Sequence, residues 1–208
     1  MVRDSGISLL QKVAERIIIH YLRDSGHAEV TALNVGSAPA GASPVDITYR
    51  YEGRRVGVKV KPDVYFGSDP VKVRDRDLVF YRSDAGHYAF ESISNHMTRE
   101  AGWMFSSEAD ELFYYYLVIA QSEDEVRALL AEPDDVFFSE LKVERDELRV
   151  LPMKGTREWF KAHYEEYAPR PVTVGEISAW YRLIPRSDID TQVAGIRNIG
   201  SVFSALSV

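Results

Sequence analysis

Apolar residues recur with the period of a helix near the start of the chain. Seven of them lie three or four positions apart: Ile7, Leu10, Val13, Ala14, Ile17, Ile18 and Tyr21. Gly26 follows as a stop signal, and Ile19 beside Ile18 widens the apolar stripe. The pattern predicts a helix over residues 7–23 that is covered on two of its sides.

Alternating and β-branched runs predict the strands. Two such runs, residues 45–51 and 54–61, are joined by Glu52-Gly53, which predicts a β-hairpin with a two-residue turn. Shorter runs predict further strands at residues 28–35, 88–93 and 174–184. Stretches rich in Gly, Pro, Asp or Arg predict irregular segments at residues 36–44 and 62–86.

The run of residues 112–119, LFYYYLVI, is apolar on both faces, which is typical of a central strand covered by helices above and below. Ser122-x-x-Glu125 is a capping box that opens a helix reaching to about Ala131. The remaining pattern predicts one strand or a hairpin within residues 137–150 and an amphipathic helix over residues 156–167.

This order of elements predicts an α/β fold, a central mixed sheet with helices on both faces. A chain of 208 residues suits a single domain. Within it we expect a core at residues 1–132 and a C-terminal α+β extension at residues 133–208.

Composition excludes several classes of protein. Hydrophobic residues make up 45% and charged residues 27% of the chain, as in ordinary globular proteins. Without cysteine there is no disulfide framework and no thiolate zinc site. The first residues do not form a signal peptide and no apolar run is long enough to span a bilayer, so we expect no membrane partner and a cytoplasmic location.

The net charge of −7 argues against non-specific binding to DNA across the whole surface. Basic residues nevertheless concentrate in one short region: Arg54, Arg55, Lys59, Lys61, Lys72, Arg74 and Arg76. They form either a local basic surface or a set of solvated strand and loop residues.

The candidate chemistry lies on one face of the hairpin. If Glu52 and Gly53 form the turn, one face is apolar and pairs Tyr49 with Val56, Ile47 with Val58, and Val45 with Val60. The other face pairs Asp46 with Lys59, and Lys61 lies two residues further along the same side. The alternative to a functional cluster is a solvated cross-strand ion pair, which contributes about 0.2–1 kcal/mol.

An Asp on one strand followed by acid-x-Lys on the next resembles the PD-(D/E)xK nucleases. The first acid corresponds to Asp46 in Pro44-Val45-Asp46-Ile47, and the second strand to Val58-Lys59-Val60-Lys61-Pro62-Asp63. Glu15, in the preceding helix, stands where some members place an additional metal ligand.

A second block is similar to a phage and restriction-like branch of that family. It comprises Phe90-Glu91-Ser92-Ile93-Ser94, Gly102-Trp103, Ser107, Ala109-Asp110 and Tyr114-Tyr115. Together the two blocks cover about residues 8–120, somewhat over half of the chain.

The resemblance implies a restriction-endonuclease-like fold and hydrolysis of DNA phosphodiesters with Mg²⁺ or Mn²⁺. Asp46 would hold the metal, Lys61 would orient the attacking water, and Glu91 would supply a second carboxylate, with Glu15 as a further ligand. DNA is then the expected partner. A homodimer formed through the apolar tail at residues 202–208 is a further expectation.

Lys59 departs from the pattern because it stands where the family has its second acid. An ammonium group beside a divalent ion is unfavourable, which leaves three alternatives. Glu91 or Glu15 restores the site, Lys59 contacts phosphate directly, or the site is inactive. The competing hypothesis is thus an inactive nuclease-fold protein that binds nucleic acid or another protein. Oxygens of Asp46 and Glu91 about 4–5 Å apart would favour the enzyme, and a cleft filled by an Asp46–Lys59 ion pair the inactive protein.

Overall fold

A computed structural model describes residues 6–33, 45–66, 86–174 and 177–203. The helices are α1 (Gly6–Asp24), α2 (Trp103–Ser106), α3 (Glu123–Leu129), α4 (Asp134–Glu140), α5 (Met153–His163) and α6 (Arg186–Asp190), with a 3-10 turn at Tyr164–Glu166. The strands are β1 (Ala28–Ala32), β2 (Ile47–Tyr51), β3 (Arg54–Phe66), β4 (His87–Asn95), β5 (Glu100–Ala101), β6 (Glu111–Ile119), β7 (Val143–Pro152), β8 (Pro169–Val174), β9 (Ile177–Pro185) and β10 (Arg197–Gly200).

A mixed six-stranded sheet forms the centre of the fold, in the order β1-β2-β3-β6-β7-β10. Its neighbours run antiparallel except β3 and β6, which are parallel. The predicted α/β class with a mixed central sheet flanked by helices is confirmed. In the C-terminal part, β7 pairs with β6 from Val143 to Pro152, so residues beyond 132 help to build this sheet.

The β2–β3 hairpin has the predicted register. Ile47 pairs with Val58 and Tyr49 with Val56, and the turn residues Glu52 and Gly53 have φ values of 49° and 77°. Positive φ at both positions is what a tight two-residue hairpin turn requires, and glycine adopts it without strain.

Strand β3 runs further than the sequence pattern predicts. Residues 62–66 were expected to be irregular, but β3 continues to Phe66 and pairs in parallel with β6 as far as Ile119. The backbone partners supplied by β6 keep this stretch extended despite its weak local pattern. The predicted irregular segments at 36–44 and 67–85 lie outside the described residues.

Two other predictions match the structure in part. The strand predicted within residues 137–150 is β7, which begins at Val143, whereas residues 137–140 belong to helix α4 after Pro133. Phe137 of that helix is fully buried against the core, and this packing outweighs the β-propensity of its aromatic residues. Strand β8 was not predicted, and the strand expected at residues 174–184 is β9.

A second, four-stranded antiparallel sheet, β5-β4-β9-β8, was not predicted. It packs on the face of the main sheet opposite α1. Strand β6 lies between two cores, because Phe113 and Tyr115 face α1, α3 and α4, whereas Leu112 and Tyr114 pack with the second sheet and α5. The strand is buried on both faces as predicted, but one face is covered by the second sheet as well as by a helix, where helices alone were expected. In the described part of the chain, no helix has the length and apolar character needed to cross a membrane.

Candidate functional site

Asp46 and Lys59 form a buried ion pair at the start of the hairpin. Oδ1 of Asp46 lies 3.2 Å from Nζ of Lys59, and Oδ2 accepts the backbone N–H of Val60 at 2.7 Å. Asp46 is 6% exposed and Lys59 is 4% exposed. The convergence predicted from the hairpin register is confirmed, and the alternative of a solvated surface pair is wrong.

Burial dominates the electrostatics of Asp46. Its pKa is raised because burial disfavours the charged carboxylate, although the charge of Lys59 and the Val60 N–H both act to lower it. The pair is therefore held in the protein interior at a desolvation cost, and Asp46 depends on Lys59 for its compensation.

Lys61 lies two positions beyond Lys59 on β3. Its Nζ donates to the carbonyl of Pro62 at 3.0 Å and lies 5.8 Å from the centre of the Tyr181 ring. Burial lowers the pKa of Lys61, while the charges of Asp63 and Glu91 raise it. Lys61 thus connects the hairpin with the second sheet.

Glu91 lies on β4 in the second sheet and is 6% exposed. Its Oε2 accepts the hydroxyl of Tyr181 at 2.8 Å, and the backbone N–H of Trp103 also donates to its carboxylate. Burial raises the pKa of Glu91, whereas these bonds and the charges of Lys61 and Lys59 lower it. The structure therefore brings Glu91 towards both lysines of β3.

A close backbone approach at Gly102 sets the position of Trp103. The N–H of Gly102 donates to the carbonyl of Ser92 at 3.0 Å, and a Cβ added to Gly102 would stand 2.3 Å from the carbonyl oxygen of Glu91. Only glycine fits there. The Gly-Trp turn thereby presents the Trp103 N–H to the Glu91 carboxylate.

Asp110, from the second of the two sequence blocks, is hydrogen-bonded to Gly57 of β3, next to the first block. Its Oδ2 accepts the backbone N–H of Gly57 at 2.8 Å, and its own N–H donates to the Gly57 carbonyl at 2.8 Å. These two bonds hold the start of β6 against β3 next to the buried ion pair.

Glu15 reaches the site from helix α1. Gln11 Nε2 donates to Oε1 of Glu15 at 2.7 Å and to the carbonyl of Val60 at 3.3 Å, which places Glu15 beside β3. Burial, together with the charge of Asp46, raises the pKa of Glu15 to about 7, against the opposing effects of Gln11 and Lys59. All four predicted site positions and Glu15 therefore lie in one neighbourhood.

Sequence reasoning did not assign several neighbours to the site, although Asp63 and Tyr114 stand within the two sequence blocks. The Tyr114 hydroxyl donates to Oδ2 of Asp63 at 3.0 Å and accepts the N–H of Ala89 at 3.1 Å. Asp63 continues the alternation of Lys59 and Lys61, so counting by two along β3 would have found it. Gln11 and Tyr181 had no such signal, because their contacts depend on how α1 and β9 pack.

The side chains supply oxygen ligands of the kind that Mg²⁺ and Mn²⁺ prefer, but their arrangement does not fit such an ion. Both carboxylate oxygens of Asp46 are engaged, one of them by the ammonium group of Lys59. Among the residues that the structure describes, no group of three or more acidic or histidine side chains is placed to hold a metal. The ammonium group of Lys59 occupies the position next to the Asp46 carboxylate.

Comparison of the chain with protein-family models, curated proteins and solved structures gave no match.

Proposed function

We propose that this chain is a nuclease-like protein that binds the phosphate backbone of DNA and has lost metal-dependent hydrolysis. The buried Asp46–Lys59 ion pair carries the proposal, because it fills the place where the PD-(D/E)xK pattern requires two acids. An ammonium group neither coordinates Mg²⁺ nor lowers the pKa of a bound water as a metal does.

The arrangement of elements supports the nuclease-like part of the proposal. Helix α1 is followed by an antiparallel meander, β1-β2-β3, and then by β6, which lies parallel to β3 and next to it. The resemblance implies a helix, a three-stranded meander and a further strand in this order. Among the described residues between β3 and β6, which leave out 67–85, the structure has β4, β5 and the four-residue helix α2.

A basic stripe supports the DNA-binding part. We define it as Arg50, Arg55 and Lys61, which share the face of β2 and β3 that points away from α1; Arg50 also pairs with Glu29 of β1 at 3.1 Å. Arg50 and Arg55 are exposed near the hairpin turn, and Lys61 is partly exposed at the far end. Arg and Lys side chains in such a row suit phosphates rather than base edges, so the binding would not depend on DNA sequence.

One observation favours the competing function, a DNA endonuclease that uses Mg²⁺ or Mn²⁺. Glu15 lies close enough to Asp46 for the two charges to interact, as in sites where carboxylates share a cation. In that enzyme Asp46, Glu91 and Glu15 would hold the ion, and Lys59 would have to leave Asp46.

Fluorescence anisotropy with a labelled DNA duplex in EDTA tests the proposed binding. We expect wild type to bind, and Arg55→Ala and Lys61→Ala each to weaken binding several-fold and to reduce the salt dependence by about one phosphate contact. Arg127→Ala, on an exposed site of α3, makes the same change of charge and serves as the control. Absence of binding in EDTA, or equal losses in all three variants, would contradict the proposal.

A further inference from the structure

Tyr51 is a large apolar side chain that the fold leaves in solvent. It is 51% exposed, and among the residues that the structure describes Met97 is the other large hydrophobic side chain left exposed. Tyr51 ends β2 directly before the turn at Glu52 and Gly53, and it pairs across the hairpin with Arg54. The ring therefore stands at the tip of the hairpin, beside the basic stripe.

Two further rings connect Tyr51 to the core. The rings of His27 and Tyr51 meet at 65° with 5.5 Å between their centres, and the His27 ring lies 4.7 Å from that of Tyr49. Tyr49 is buried, and its hydroxyl donates to Glu111 at 2.8 Å. The three rings form a row from the core to the surface, so the Tyr51 ring is already positioned for a ligand.

The charges around the tip favour an anionic ligand. Arg54 and Arg55 are exposed next to the turn, and Arg50 is exposed as well, although it pairs with Glu29 at 3.1 Å. Glu52 in the turn is a second acidic neighbour. The three arginines outweigh the two acids, so the tip is positive on a chain whose overall net charge is −7.

We propose that Tyr51 stacks on an unpaired base, so that the protein prefers DNA with a single-stranded segment to fully paired duplex. The inference rests on the proposed function and names its substrate class. Exposed aromatic rings among cations bind single strands, because bases stack on the rings while the cations contact the phosphates. Such stacking accepts any base, as phosphate binding does. In a duplex the bases are already stacked on one another, which leaves the ring no base face to contact.

Fluorescence anisotropy in EDTA tests the preference with a labelled single strand and a labelled duplex of the same length. We expect wild type to bind the single strand more tightly than the duplex. Tyr51→Ala should weaken binding to the single strand by about fivefold or more, and binding to the duplex by less than about twofold. Tyr51→Phe, which keeps the ring, should bind both like wild type.

Two further variants isolate the ring. Met97→Ala truncates the other exposed apolar side chain, between β4 and β5, and should leave both affinities unchanged. Tyr51→Leu keeps an apolar contact with His27 but has no aromatic face. It should show the same selective loss as Tyr51→Ala, also where the alanine variant is less stable.

Three results would overturn the inference: single-strand binding that survives both Tyr51→Ala and Tyr51→Leu, equal losses on single strand and duplex, or the same loss in Met97→Ala. Failure of the proposed function is distinguishable, because wild type would then bind neither DNA in EDTA. If the duplex is bound through Arg55 and Lys61 while the Tyr51 variants bind single strands like wild type, the present inference alone fails.

Discussion

Burying Asp46 together with Lys59 removes two charges from water, and their attraction must offset that cost. At 3.2 Å the pair is in contact, and the Val60 N–H adds a second bond to the carboxylate. Removal of one partner is then far more damaging than replacement of both, because a single buried charge is left without compensation.

A double-mutant cycle measures this coupling. We expect Lys59→Met to lower the free energy of unfolding by about 3–5 kcal/mol, because Asp46 stays buried without its partner. Adding Asp46→Asn should restore most of the loss. Urea denaturation in the presence of a chelator provides the values, and additive losses in the double variant would show that the pair is not coupled.

Glu15 makes stability depend on pH. Its pKa rises on folding from the ordinary value of 4.5 to about 7, chiefly through burial and against the opposing charges of Lys59 and Lys12. Between these values the folded chain keeps a proton that the unfolded chain releases. Stability should therefore fall as pH rises through this window, by up to about 3 kcal/mol for Glu15 alone.

Denaturation curves between pH 4.5 and 8 for wild type and Glu15→Gln test this dependence. The variant should be the more stable protein at the upper end and should lose part of the slope. Asp46 and Glu91, whose pKa values burial also raises, supply the remainder. Glu108→Gln, an exposed carboxylate, is the control. An unchanged slope in Glu15→Gln would contradict the account.

For individual residues, the sequence predicts which side chains of the hairpin lie opposite each other, because the turn fixes the register. The contact between Asp46 and Lys59 followed from that register alone. Their burial did not, because the cover over this face comes from β4 and its partner β9. Tyr181 of β9, which bonds to Glu91, lies ninety residues away from it in the chain and carries no local pattern.

Among the elements, the turn before α2 is the one most constrained by a single residue. Gly102 has a φ of −68° and a ψ of 166°, an extended conformation that any residue can adopt, so glycine is needed for space and not for backbone freedom. The atoms it would meet belong to the backbone of β4, which cannot move aside without disturbing Glu91.

Gly102→Ala should therefore destabilise the fold by about 2–4 kcal/mol, as expected for overpacking against backbone. Gly155→Ala is a matched control inside helix α5. There the new Cβ would meet only a side-chain carbon of Val193 at 3.3 Å, and alanine is the better helix former, so a change within about 1 kcal/mol is expected. Chemical denaturation compares the two, and equal effects would contradict the steric argument.

The extent of each element was less predictable than its existence. Helix α1, the hairpin and β6 follow from strong periodic patterns, and the capping box at Ser122 and Glu125 was confirmed. Strand β3 extends beyond its predicted end because β6 pairs with it. The strand predicted within residues 137–150 starts only at Val143, because the residues around Phe137 form α4 and pack into the core. In both cases tertiary contacts outweighed local preference.

For the whole molecule, the sequence predicts a mixed sheet with helices on both faces but not the second sheet. Strands β4 and β9 pair although His87 and Pro185 are far apart in the chain, and local periodicity does not report such pairings. This second sheet supplies Glu91 and covers the face that holds Lys59. The burial of the site therefore depends on that long-range pairing.

Cleavage of supercoiled plasmid with Mg²⁺ or Mn²⁺ tests most directly whether the site has lost hydrolysis. Wild type, Asp46→Ala and Lys61→Ala are compared at equal concentration. If Lys59 occupies the place of the metal, wild type should convert no more plasmid to nicked or linear form than the two variants. Metal-dependent cleavage by wild type that both substitutions abolish would contradict the account.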